Sequence, residues 1–214
     1  MKINRPILPL FPECTGTAAS PFTVFLAGLL FVLTVAFISI LIGRYATGRF
    51  GGNKKKTTLV FIGISAVVAV LLFCFFGLSV RSITGSIFCL LLLTASYSDI
   101  KTRECDDWLS VMILLTGLIG TEVQTIPLRI VSMAFVTLLM LIPSFFTKDG
   151  IGGADIKIAA ASAFLLGLQR GLLGLTVGLL LAVVVNLIKN RKNTKEGFPM
   201  IPYLVAPFMA AYFI

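Results

Sequence analysis

Apolar positions in this chain fall in long unbroken stretches, without the alternation of a half-buried strand or the three-to-four spacing of a surface helix. The first stretch covers 21–43, and a basic loop, 44–56, follows it. Further stretches cover about 57–80, 82–98, 108–120, 130–146, 156–168, 172–188 and 200–214. They are parted by Arg81, by the polar run 99–107 (DIKTRECDD), by the glycine-rich turn 148–155 (KDGIGGAD), by Gln169-Arg170-Gly171 and by a second basic loop, 189–196. A helix needs about 20 apolar residues to cross a hydrocarbon core of about 30 Å. As one helix, 156–188 would reach about 50 Å, so a break is expected at Gln169-Arg170-Gly171. The pattern predicts an all-α, polytopic transmembrane bundle of about eight spans.

Composition agrees. Charged residues make up 13% and hydrophobic ones 57%, with a mean hydropathy of +1.02. A soluble domain carries about a quarter charged residues. The net charge of +9 would suggest nucleic acid as partner in a soluble protein. Here the cations collect in short loops, the signature of cytoplasmic loops in a membrane protein. With eight spans and the N-terminus outside, thirteen Lys and Arg lie inside and five outside. Removing the break near Arg170 would move the 189–195 cluster outside. The expected orientation therefore places both termini outside, in the cell (cytoplasmic) membrane, with lipid and not nucleic acid as surroundings. No small-residue cleavage site follows the first stretch, so that span is expected to be retained.

Cys14, Cys74, Cys89 and Cys105 form no CxxC pair, and histidine is absent. Neither a metal site nor a cofactor is expected. Cys74 and Cys89, in apolar stretches, read as small buried hydrophobes.

Six of the nine acids lie in two loops: Asp99, Glu104, Asp106 and Asp107 in one, Asp149 and Asp155 in the other. Two spans separate these loops, so the chain returns to the same face. Asp99 closes the third stretch and Asp155 opens the sixth. Two carboxylates brought together there would share a proton and titrate as a pair. Such a pair activates water against a peptide carbonyl without Ser, Cys or metal. The plainer reading of either residue is a solvated charge or a helix cap.

Three segments carry a resemblance. Asp99-Ile-Lys-Thr-Arg103 resembles the first aspartate motif of type IV prepilin peptidases. Gly152-Gly153-Ala154-Asp155-Ile156-Lys157 resembles their Gly-x-Gly-Asp-x-Lys motif. The tail Pro199-Met-Ile-Pro202-Tyr-Leu-Val-Ala-Pro207 is similar to their last helix. Ala154 stands at the second glycine, where a positive φ would strain it. Asp106 and Asp107 stand where proline and asparagine are usual. The resemblance implies an aspartic endopeptidase with Asp99 and Asp155 catalytic. Its substrate would be a prepilin-like membrane protein, cut at the cytoplasmic face to remove a basic leader. It covers 82–214, read as a six-helix core; 1–81 reads as a tail and two extra spans. The zinc-bearing methyltransferase domain of the bifunctional enzymes has no counterpart in 44–56, so the peptidase-only kind of the Flp/Tad and preflagellin systems is implied, without methyltransferase activity.

Around the aspartates, Gly150, Gly152 and Gly153 read as a flexible turn that lets backbone approach substrate rather than as a phosphate loop, because no Gly-Lys-Ser/Thr follows and no strand precedes. Arg103 and Lys157 read either as cations that tune the pair or as membrane-boundary anchors. By the resemblance, Glu104, Asp106 and Asp107 would attract a basic leader; on the plainer reading Asp106 or Asp107 caps the fourth helix ahead of Trp108. Ala159 to Ala163 would let the sixth helix lie near the third. Pro199, Pro202 and Pro207 imply a kinked or broken last helix. Three rivals remain at this level, one of them a catalytically dead scaffold for pilus assembly. A proton-coupled transporter would place acids at the bilayer midplane and show repeated halves. A presenilin-like protease would carry Pro-Ala-Leu where this tail reads PYLVAP.

Overall fold

The structure is a computed structural model that describes residues 21–103, 105–146, 152–189 and 200–214. Among these it is all helical and has no strand. The α-helices are α1 (Pro21–Phe50), α2 (Lys54–Phe76), α3 (Val80–Thr102), α4 (Asp107–Leu118), α5 (Ile126–Phe146), α6 (Gly153–Leu166), α7 (Leu168–Lys189) and α8 (Ile201–Phe213). A single 3-10 turn, Val123–Thr125, leads into α5.

Five helices are long and apolar enough to cross a membrane: α1, α2, α3, α7 and the 3-10 turn with α5. The other three have 12, 14 and 13 residues in α4, α6 and α8, or about 18–21 Å at 1.5 Å per residue. These short helices do not reach across a full hydrocarbon layer, which an eight-span count assumes.

Local chemistry sets the breaks. Asn53 Oδ1 accepts the N–H groups of Lys55 and Lys56 at 3.2 and 3.5 Å and starts α2. Most of the expected basic loop is therefore helix, with only 51–53 between α1 and α2. Gly77, at φ 61°, ends α2, and Ser79 caps α3. Arg81 was expected to interrupt, yet it lies inside α3: a charge does not end a helix, whereas a left-handed glycine does. Likewise the break after α6 falls at Gly167 (φ 83°) and not at Gln169-Arg170-Gly171, which lie inside α7.

α3 is the buried long helix; α1, α2, α5 and α7 expose most of their surface. α6 is enclosed, with every residue from Ile158 to Leu166 buried. Its alanines admit α4, α5, α7 and α8 closely around it. α4 and α8 each touch both α6 and α3 and so bring the two near each other. α5 closes the C-terminal end of α6, where Ser132 Oγ donates to the Ala163 carbonyl at 2.8 Å. Arg129 Nη1 adds bonds to Phe164 and Leu165 oxygens at 3.1 and 2.6 Å. Pro207 sits inside α8, which nonetheless runs unbroken from Ile201 to Phe213. Cys89 is buried as expected, but Cys74 is exposed on the outward side of α2.

Candidate active site

Asp99 lies in the last turn of α3 and is 8% exposed. Its Oδ2 accepts the backbone N–H of Ile201, the first residue of α8, at 3.1 Å. A helix N-terminus leaves such N–H groups without intrahelical partners and carries partial positive charge. α8 therefore presents its positive end to this carboxylate. Pro202, in the first turn, suits that position because its missing N–H is not needed there. Just beyond Asp99, the N–H of Arg103 bonds the Asp99 carbonyl at 3.0 Å. Arg103 takes φ 56°, the one positive φ outside glycine among the described residues.

Asp155 is the third residue of α6, behind Gly152 as N-cap. It stands just outside the apolar part of that helix and outside the five long spans. The Asp155 N–H bonds the Gly152 carbonyl at 3.0 Å. The Asp155 carboxylate takes the Gly152 N–H in return, one half of a capping box. A Cβ on Gly152 would lie 3.0 Å from Asp155 Oδ2; glycine leaves that approach open. Ala154, at the second helical position, has no positive φ, so the strain expected there does not arise. Gly153 likewise opens the helix, and nothing lies within 4 Å of where its Cβ would be.

Burial raises the Asp155 carboxyl from an ordinary 3.8 to about 7; the charge of Asp99 adds to the rise and the Gly152 N–H opposes it. The two carboxyl groups are thus within electrostatic reach, although 56 positions apart in the chain. Among the described residues no hydrogen bond joins them.

Cys105, between α3 and α4, marks the centre of this acidic end. Burial pushes its thiol up to about 12, helped by the charges of Asp99, Asp106, Asp155 and Asp107. Nothing in the sequence singles out this cysteine.

The remaining acids are engaged by cations. Arg49 Nε, at the end of α1, donates to Asp106 Oδ2 at 2.9 Å, and Trp108 Nε1 donates to the same oxygen at 3.2 Å. The Arg49 guanidinium holds the Asp106 carboxyl below its ordinary range. Lys157 Nζ meets both Asp107 oxygens at 2.7 and 2.8 Å. Lys157 therefore ties α6 to α4 and does not pair directly with either candidate catalytic acid. Asp106 occupies the N-cap position of α4, but its side chain makes no cap bond; Arg49 and Trp108 take it instead. Glu104, Asp149 and Gly150 lie outside the described residues.

One further tie is absent from the motifs. Tyr97 Oη donates to the Gly51 carbonyl at 2.5 Å and Thr57 Oγ1 to Tyr97 Oη at 3.3 Å. These bonds dock the α1–α2 turn on α3, two residues before Asp99.

Residues 86–187 match the sequence model of the type IV leader peptidase family. Asp99, Asp155, Gly152, Gly153 and Lys157 all fall inside the matched stretch, and α8 lies beyond it. No curated protein and no solved structure matches the chain.

Proposed function

Because residues 86–187 match the type IV leader peptidase family, we propose that this multi-pass membrane protein is a member of it, an aspartic endopeptidase with Asp99 and Asp155 as its catalytic pair. The observation that carries the reading is the electrostatic contact of two acids from α3 and α6 at one end of the bundle, one of them raised to about 7.

The chemistry follows from that asymmetry. Asp99 has a backbone donor for negative charge in the Ile201 N–H, and it acts as the base. It takes a proton from water as the oxygen attacks the scissile carbonyl. Asp155, protonated near neutral pH, donates to the carbonyl oxygen as it gains charge. Collapse of the tetrahedral intermediate breaks the C–N bond: the proton held by Asp99 passes to the leaving amine, and Asp155 takes back its proton from the oxygen as the carbonyl re-forms. No covalent intermediate is required.

The substrate is a prepilin-like precursor with a short basic leader. Asp106, half-buried, and Asp107, exposed, stand at the site, held by Arg49 and Lys157. Exposed ion pairs are worth at most about 1 kcal/mol, so a cationic leader can displace them. The cut takes place at the cytoplasmic face, by the loop charges. Residues 82–214 form the peptidase core and 1–81 an added N-terminal segment. Methyl transfer is not part of the activity.

The test is co-expression with a prepilin precursor, following leader removal on a gel. Asp99→Asn and Asp155→Asn should each abolish processing while the protein stays membrane-inserted. Cleavage that survives either change would remove the pair from the mechanism.

A further inference from the structure

The end of the bundle away from the aspartates is also polar, and its charge is opposite. Asp99 lies 18 residues beyond Arg81 along α3, about 27 Å at 1.5 Å per residue. At the Arg81 end a cavity of about 590 Å³ opens between α3, α4, the 3-10 turn, α5, α6, α7 and α8. Arg81, Arg129 and Arg170 all line it, with Thr84, Tyr212 and a single acid, Glu122.

Each arginine sits in the first turn of a helix: second in α3, fourth in α5, third in α7. Helix N-termini carry partial positive charge and favour anions, so a cation there is disfavoured. None of the three helices has an acid in its first turn to compensate. The guanidinium groups are also close: Arg81 and Arg170 both act electrostatically on Arg129, and all three act on the Tyr212 hydroxyl. Arg129 is engaged with the carbonyls ending α6, and Arg170 Nη2 donates to the Ile214 oxygen at 3.1 Å. The Arg81 guanidinium lies over the Phe76 ring, 5.9 Å from its centroid, and makes no hydrogen bond or ion pair among the described residues. Three like charges, at three helix N-termini, around one cavity, are stable together when an anion joins them.

We propose that this cavity binds a phosphate-class anion, with Arg81 and Arg170 as its principal charged contacts and Thr84 and Tyr212 as hydroxyl donors. Phosphate suits the planar forks of arginine, which bind its oxygens in pairs. The phosphate is either free or carried by a lipid headgroup. The site is separate from the peptidase centre and does not depend on that assignment.

The full-length protein, purified in a zwitterionic detergent, is tested by thermal unfolding against inorganic phosphate, and against short-chain phosphatidylglycerol with phosphatidylcholine as control. Saturable stabilisation by phosphate identifies a free-anion site. Stabilisation by phosphatidylglycerol alone identifies a headgroup site. Arg81→Gln should weaken the half-saturating concentration about tenfold, the loss of one charge-assisted contact, and leave leader cleavage unchanged. Glu122→Gln, which removes the one acidic side chain lining the cavity, should tighten binding. That opposite sign is not expected of residues with a merely structural role. Arg129 is left intact because it closes α6. Absence of saturable stabilisation by either anion, or equal binding by native protein and Arg81→Gln, would overturn the proposal.

Discussion

Asp155 is the residue whose surroundings make the sharpest prediction. In the folded chain it keeps its proton up to about pH 7; the unfolded chain loses it near 3.8. Between those values the folded state binds more protons, so stability must fall as pH rises. The contribution is complete below about pH 4 and is lost as pH passes about 7. Asp155→Asn carries no such charge, so its melting temperature should gain on the native protein's between pH 5 and pH 8, while activity is absent. A constant difference over that range would contradict the assignment. Catalysis depends on the same proton. The kcat/KM for leader removal should fall on the alkaline side with an apparent pKa near 7, a property of the coupled pair. A rate still rising through pH 8 would mean that Asp155 works ionised. The two aspartates stand out in the sequence because acids bordering apolar spans are few. The Ile201 amide on Asp99 does not, because a backbone N–H has no residue signature; only the proline at 202 hints at a helix N-terminus there.

At the scale of elements, the helices are easier to foresee than their breaks. Apolar length marks each segment, but Gly77 and Gly167 end helices through backbone conformation, while Arg81 and Arg170, more conspicuous as charges, do not. The short helices are held by close backbone approaches, and glycine is where these can be tested. A Cβ on Gly171 of α7 would lie 2.9 Å from the Ala163 Cα of α6. Backbone cannot swing aside, so Gly171→Ala overpacks the contact, at about 1–3 kcal/mol. The gain in helix propensity, about 1 kcal/mol, does not offset it. Gly63 of α2 has nothing within 4 Å of a Cβ position, so Gly63→Ala receives the propensity gain alone. Thermal unfolding in detergent should place Gly171→Ala below the native protein and Gly63→Ala level with it or above. The reverse order would show that α6 and α7 are not in the contact described. The same small residues show where the sequence stops short. Ala159 to Ala163 do permit close packing, but on an enclosed helix they permit it on every side, and sequence does not say which neighbours arrive. α4 and α8 took the places beside α3.

For the whole molecule, the short α4, α6 and α8 decide where polar groups can be. A helix of about 20 Å in a layer of about 30 Å ends below the surface. Backbone ends at that depth are tolerated only against protein or a water-filled recess. Polar groups gather at both ends of these helices: the acids of α3, α4 and α6 at one, and at the other the cavity lined by the arginines of α3, α5 and α7. Which end faces the cytoplasm follows from the cations. Arg49, Lys54, Lys55 and Lys56 adjoin the acidic end through the Arg49–Asp106 pair and the Tyr97 bond to Gly51. Positive loops are retained on the cytoplasmic side, so the acidic end should face inward. Single cysteines at Asn53 and Thr121, in a chain cleared of its four native cysteines, would report on the two ends. In intact spheroplasts a membrane-impermeant thiol reagent should label Thr121→Cys. Asn53→Cys should become labelled only after permeabilisation. The opposite pattern would put the acids outside, where no leader awaiting removal is exposed, and the assignment as a cytoplasmic-face leader peptidase would fall with it.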